Sequence, residues 1–171
     1  MGELLHFDEG QISTVAEAGA IAEELVAEAY KMSAAQWRKH LYDVKTLSEL
    51  SPEEVAPGRL AHLVRYAGKR RDSTLASAAF DFYRICLMDH SMLSVLATKK
   101  NFTLFPLAVY VLCHELVHVV RFSRFLQPFE TPREKRDEEE KRVHEKTLDI
   151  LGGIRMDGLS PIVRHYQRHG P

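Results

Sequence analysis

Two histidines four residues apart, His114 and His118, with Glu115 beside the first, are the side chains in this 171-residue chain whose types and spacing most directly imply a reaction. On a helix, positions i and i+4 stack on one face, so both imidazoles can reach a single metal ion. Glu115 lies about 100° further round, placed to act on a water held by that ion rather than on the ion itself.

Two histidines do not complete a zinc site. A structural site uses four ligands, and a catalytic one uses three plus water. The charged segment that follows offers Glu138, Glu139, Glu140 and His144. With Val143, Leu148, Ile150, Leu151 and Ile154 as its docking face, Glu140 falls within about 30° of that face, His144 about 65° away, Glu139 about 75° away and Glu138 on the far side. Periodicity therefore ranks Glu140 first, with His144 and Glu139 next. The expected site is one divalent cation, Zn2+, held by His114, His118, Glu140 and His144.

These residues need rigid elements to carry them. The stretch from Leu104 to Phe125 is apolar nearly all round, as a helix at the centre of a bundle must be. Pro132 at a first helical position, Thr131 before it and Glu134 after it predict a helix running to Leu151 and stopping at Gly152-Gly153. Upstream, Ser13 or Thr14 caps a helix to about Met32, and Ser33 to Gln36 forms a capping box before Trp37, Leu41 and Val44. Leu60, Leu63, Val64 and Ala67 share a face if Arg59 to Lys69 is helical, and another helix is expected from Asp72 or Ser73 to about Met88. Residues Met92 to Ala97 fit either a short strand or a helical turn. With five or more helices, the chain reads as a single-domain, all-α bundle over residues 1–171.

Composition sets outer bounds. Hydrophobic residues at 45% and charged residues at 27% suit a globular domain, and a net charge of -1 argues against nucleic acid or an anionic membrane as partner. Cys86 and Cys113, both in apolar surroundings, read as buried thiols and not as a disulfide framework. The uncharged run from Asn101 to His114 is short for a bilayer span, and no basic-then-apolar leader opens the chain, so a cytoplasmic setting is expected.

The segment His114-Glu115-Leu116-Val117-His118 resembles the zincin metallopeptidases. That resemblance implies zinc ligation by His114 and His118, and Glu115 as general base. It also implies a third ligand from a later helix, as in the gluzincin branch, which suits Glu138 to Glu140. A looser resemblance is to the helical zinc proteins of coenzyme Q biosynthesis, whose spacing would bring in Glu130. Zincins lay the substrate backbone along an edge strand beside the active-site helix, and no firm strand is evident before Leu104. The functional expectation is a zinc-dependent, peptidase-like hydrolase acting on a small-molecule or peptide substrate that the residues do not specify. The alternative is a non-catalytic metal-binding helical protein whose four ligands close the shell. A di-metal carboxylate bundle, built on Glu115 and His118, and a plain helical interaction domain complete the field.

Overall fold

The computed structural model describes residues 4–40, 42–69, 79–124 and 132–169. Helix α1 (Glu9–Ala29) and the single turn α2 (Ala34–Trp37) precede strand β1 (Tyr42–Lys45). Strands β2 (Ala61–Lys69) and β3 (Ala79–Leu87) follow, then helices α3 (Asp89–Thr98), α4 (Leu104–Ser123), α5 (Arg133–Gly152) and α6 (Leu159–His169). The strands form a mixed sheet in the order β1-β3-β2, with β1 parallel to β3 and β2 antiparallel to it. The molecule is therefore α/β, and the all-α expectation is overturned.

The physical reason lies in residues 61–69 and 79–87. Leu60, Leu63, Val64 and Ala67 satisfy a helical spacing, but the segment also alternates. His62, Val64 and Tyr66 face the 46–58 connection: the His62 ring meets the Glu54 carbonyl, Val64 packs beside Leu47 and Met88, and the Tyr66 hydroxyl reaches Glu54. Ala61 and Leu63 pack instead on the main core. The partner segment, Ala-Phe-Asp-Phe-Tyr-Arg-Ile-Cys-Leu, carries three aromatic residues and the β-branched Ile85, which suit a pleated surface. Tyr83, Ile85 and Leu87 lie in the helix-covered core, while Cys86 lies in the small cluster on the other face.

Other boundaries also differ. Asp8, not Ser13 or Thr14, caps α1, through a reciprocal capping box with Gln11. The Ser33–Gln36 box is present but opens only four helical residues, and Val44 belongs to β1. Ser51 to Glu54 closes a single 3-10 turn. Asp89 opens α3, which absorbs Met92 to Ala97. Its carboxylate is buried and accepts from the backbone N–H groups of Phe7 and Leu47, tying two distant segments to one helix start. Leu41, Arg70, Arg71, Asp72, Ser73 and Thr131 lie outside the described residues.

The central position expected of α4 holds. Every residue from Pro106 to Val120 is buried, against α1 on one side and α5, α6 and the sheet on others. Among the described residues α4 alone is long and apolar enough to cross a bilayer, yet 83% of its most apolar window is covered by the rest of the chain. Gly158 (φ +80°) makes the turn into α6 close to Thr103 and Pro106, where a Cβ would come within 3.1 Å of the Thr103 hydroxyl oxygen.

Candidate metal centre

Three side chains converge where α4 meets α5. The Nε2 atom of His118 lies 3.0 Å from one carboxylate oxygen of Glu140, and that of His114 lies 3.3 Å from the other. One ligand atom from each of the three residues falls within 4.8 Å of the other two. Two ligands at about 2.1 Å from a tetrahedral ion stand about 3.4 Å apart, close to the two histidine–carboxylate separations. The imidazoles are buried, whereas the Glu140 side chain is 54% exposed, so the group opens toward solvent on one side.

The histidine nitrogens point the same way. Nδ1 of both rings is buried without a hydrogen-bond partner. With the proton on Nδ1, two buried donors are left unpaired and the Nε2 lone pairs face a carboxylate, an arrangement that a cation between them would relieve. With the proton on Nε2, two buried acceptors are left unsatisfied. Burial alone would raise the Glu140 carboxyl, but the hydrogen bonds from His114 and His118 hold it well below the usual range. The donor set, two imidazoles and one carboxylate, is one that zinc accepts.

Metal-bound histidines ordinarily donate their second N–H to a carboxylate or carbonyl. Here aromatic packing orients the rings instead. Tyr110, His114, His118 and Phe122 recur every four residues along α4 and form one stripe. His114 and His118 meet edge to face with centroids 5.1 Å apart, His118 stacks on Phe122 at 5.6 Å, and Tyr110 stacks on Tyr166 of α6 at 4.6 Å. The four-residue spacing was visible in the sequence and would have singled out Tyr110 and Phe122. Tyr166 comes from a distant helix and had no such signal.

Glu115 projects beside this group, and its carboxyl is buried. Burial pushes it up to about 7; Glu140 adds to the rise, and His114 and Arg59 oppose it. A carboxylate at that value can take and return a proton near neutrality. Glu139 faces elsewhere: it is buried against Arg121 of α4 and receives both its Nε and Nη2 hydrogens, the latter at 2.9 Å. Arg121 is thus an ion-pair partner of the acidic helix. His144, the fourth expected ligand, stands outside the convergent group; its Nδ1 lies 3.5 Å from the Tyr110 hydroxyl. Burial, with His114 adding to it, lowers its pKa and keeps it neutral. Glu138 is exposed, and Glu130 lies outside the described residues.

The centre lies in a cleft of about 800 Å³, whose other wall is residues Gly58 to Leu63 at the start of β2. Tyr110, Val111, Val95 and Tyr166 line its apolar part. The Met88 N–H donates to the Leu60 carbonyl, which fixes the phase of the antiparallel ladder. Leu60 and His62 therefore point their backbone groups at β3, and Ala61 and Leu63 point theirs to the side away from it. That is the edge the sequence did not reveal. The two thiols take no part: burial pushes Cys86 and Cys113 each up to about 12.

Comparison with protein-family models, with curated proteins and with solved structures finds no match to this chain.

Proposed function

We propose that this chain is a metal-dependent hydrolase of the zincin type that cleaves amide bonds in peptides, with His114, His118 and Glu140 as ligands and Glu115 as general base. The observation that carries this reading is the convergence of two buried imidazoles and one half-exposed carboxylate beside a buried glutamate, in a cleft edged by a strand. A bound zinc ion would supply Lewis acidity, making water easier to deprotonate and a carbonyl easier to attack.

The chain's own residues supply the rest. An extended substrate pairs with the outward N–H and C=O groups of Ala61 and Leu63, which holds its scissile carbonyl over the centre. Glu115 takes a proton from the attacking water as its oxygen bonds to the carbonyl carbon. It returns that proton to the leaving nitrogen as the C–N bond breaks. The Tyr110 hydroxyl, kept protonated by a burial-raised pKa, lines the same cleft as a donor to the developing oxyanion, and the neutral His144 imidazole beside it orients that hydroxyl. Arg121, on the same helix as Tyr110, is committed to Glu139.

A closed, purely structural site would need a fourth protein ligand, and His144 stands apart from the group. A di-metal bundle would need Glu115 among the ligands and a second set of them; neither is found among the described residues. The test is turnover of a mixed peptide library by zinc-loaded protein, with Glu115→Gln compared at matched metal content. Cleavage should fall about 10²- to 10⁴-fold in the variant. Undiminished cleavage by the variant, or none by the zinc-loaded wild type, would end the assignment.

A further inference from the structure

The charge around the cleft is segregated. Three carboxylates line it, and each is already engaged: Glu140 faces the two histidines, Glu115 is buried beside them, and Glu139 is bound by Arg121. Three cations also line it, Arg59, Arg136 and Lys141, all exposed and without an ion-pair partner among the described residues. Glu134, Asp137 and Glu138, the remaining acids in the first half of α5, do not line it. With a divalent cation balancing Glu115 and Glu140, the cleft carries a net positive charge on a chain whose overall charge is -1.

The placement of the three cations is also specific. Arg59 follows Gly58, whose φ of +82° makes the turn that starts β2, and it is close enough to influence the Glu115 carboxyl. Arg136 sits one helical turn before Glu140, and Lys141 directly follows it. The positive groups thus stand on opposite walls, the strand wall and the helix wall, with the reacting centre between them. Low-dielectric walls of one sign of charge concentrate ligands of the other sign.

We propose that the cleft recognises acidic peptide segments, with Arg59 receiving a substrate carboxylate on the strand wall and Arg136 and Lys141 receiving carboxylates on the helix wall. This substrate class rests on the peptide-hydrolase reading above. Its test uses two fluorescent peptides, one with glutamates flanking a central apolar residue and one with glutamines in their place. Binding is measured on the zinc-loaded, full-length Glu115→Gln protein. The acidic peptide should bind about tenfold more tightly at about 0.05 M salt, each exposed ion pair adding a factor of about two to four, and most of that preference should vanish at about 0.5 M. A variant combining Arg59→Glu, Arg136→Glu and Lys141→Glu, checked for unchanged zinc content, should invert the preference. Equal binding of the two peptides, or no binding of either, overturns the proposal. Wild-type turnover of the same pair separates the two readings. Selective binding without cleavage leaves recognition standing and removes the hydrolase, whereas cleavage of both peptides at equal rates removes the recognition.

Discussion

Glu140 and Glu139 are neighbours on one helix with opposite assignments. Glu140 converges on His114 and His118, and Glu139 is buried in an ion pair with Arg121, which sits on the helix that carries both histidines. That pair pins α5 to α4 in the rotation that turns Glu140 toward His114 and His118. Removing one partner leaves a nearly buried charge uncompensated, which costs about 3 kcal/mol. Arg121→Met should therefore lower the melting temperature and weaken zinc binding about tenfold, the usual size of an outer-shell effect. Zinc affinity unchanged in a folded Arg121→Met protein would show that the pair has no positioning role. His144→Ala should leave zinc binding intact while slowing peptide turnover about tenfold or more. Parallel zinc titration and kinetics on that variant check both halves of the expectation.

Among the elements, α4 and the edge strand β2 have to meet for a peptide substrate to be held. In β2 the Ala61 N–H points away from β3, so proline there removes a donor from the open edge and none from the ladder. Ala61→Pro should cut kcat/KM on peptides about fivefold to tenfold, the worth of one hydrogen bond, with zinc content unchanged. Full activity in that variant would argue against strand pairing. This edge is also where sequence reasoning failed most. Helix α4, the shared face of His114 and His118 and the turn of Glu140 on α5 toward them were legible because apolar periodicity over some twenty residues is strong. The strands were not, because Leu60, Leu63, Val64 and Ala67 fit a helical face as well as two faces of a strand, and only pairing with residues 79–87 decides between them. His144 was misplaced for a related reason: one turn below Glu140 it shares the docking face, but packing turns its ring toward Tyr110.

At the scale of the whole molecule, the sheet's outer face depends on Glu54. Its carboxylate accepts from the Tyr66 hydroxyl at 2.7 Å, the Ser51 N–H at 3.0 Å and Arg84 at 3.2 Å, while Arg84 also grips Asp43. The Tyr66 and Ser51 hydrogen bonds, with Arg84 assisting, push the Glu54 carboxyl down to about 2 from an ordinary 4.5. A depressed carboxyl stabilises the folded state fully above its unfolded value and loses that contribution as pH falls through its folded one. Stability should therefore decline between pH 4.5 and about 2, and Glu54→Gln should be less stable at neutral pH with a flatter acid limb. Thermal melts across pH would show it, and identical acid limbs would contradict it. Under the proposed metal reading, zinc at about a thousandfold over its Kd should add about 4 kcal/mol, or on the order of 10 °C in melting temperature. The central claim is most directly tested by anomalous diffraction from zinc-soaked crystals, measured on both sides of the zinc absorption edge. The expected result is one peak per chain, about 2.0–2.2 Å from His114 Nε2, His118 Nε2 and a Glu140 oxygen, with its remaining position open to the cleft. Absence of a peak, a peak away from these three residues, or one closed off by His144 as a fourth ligand would contradict it.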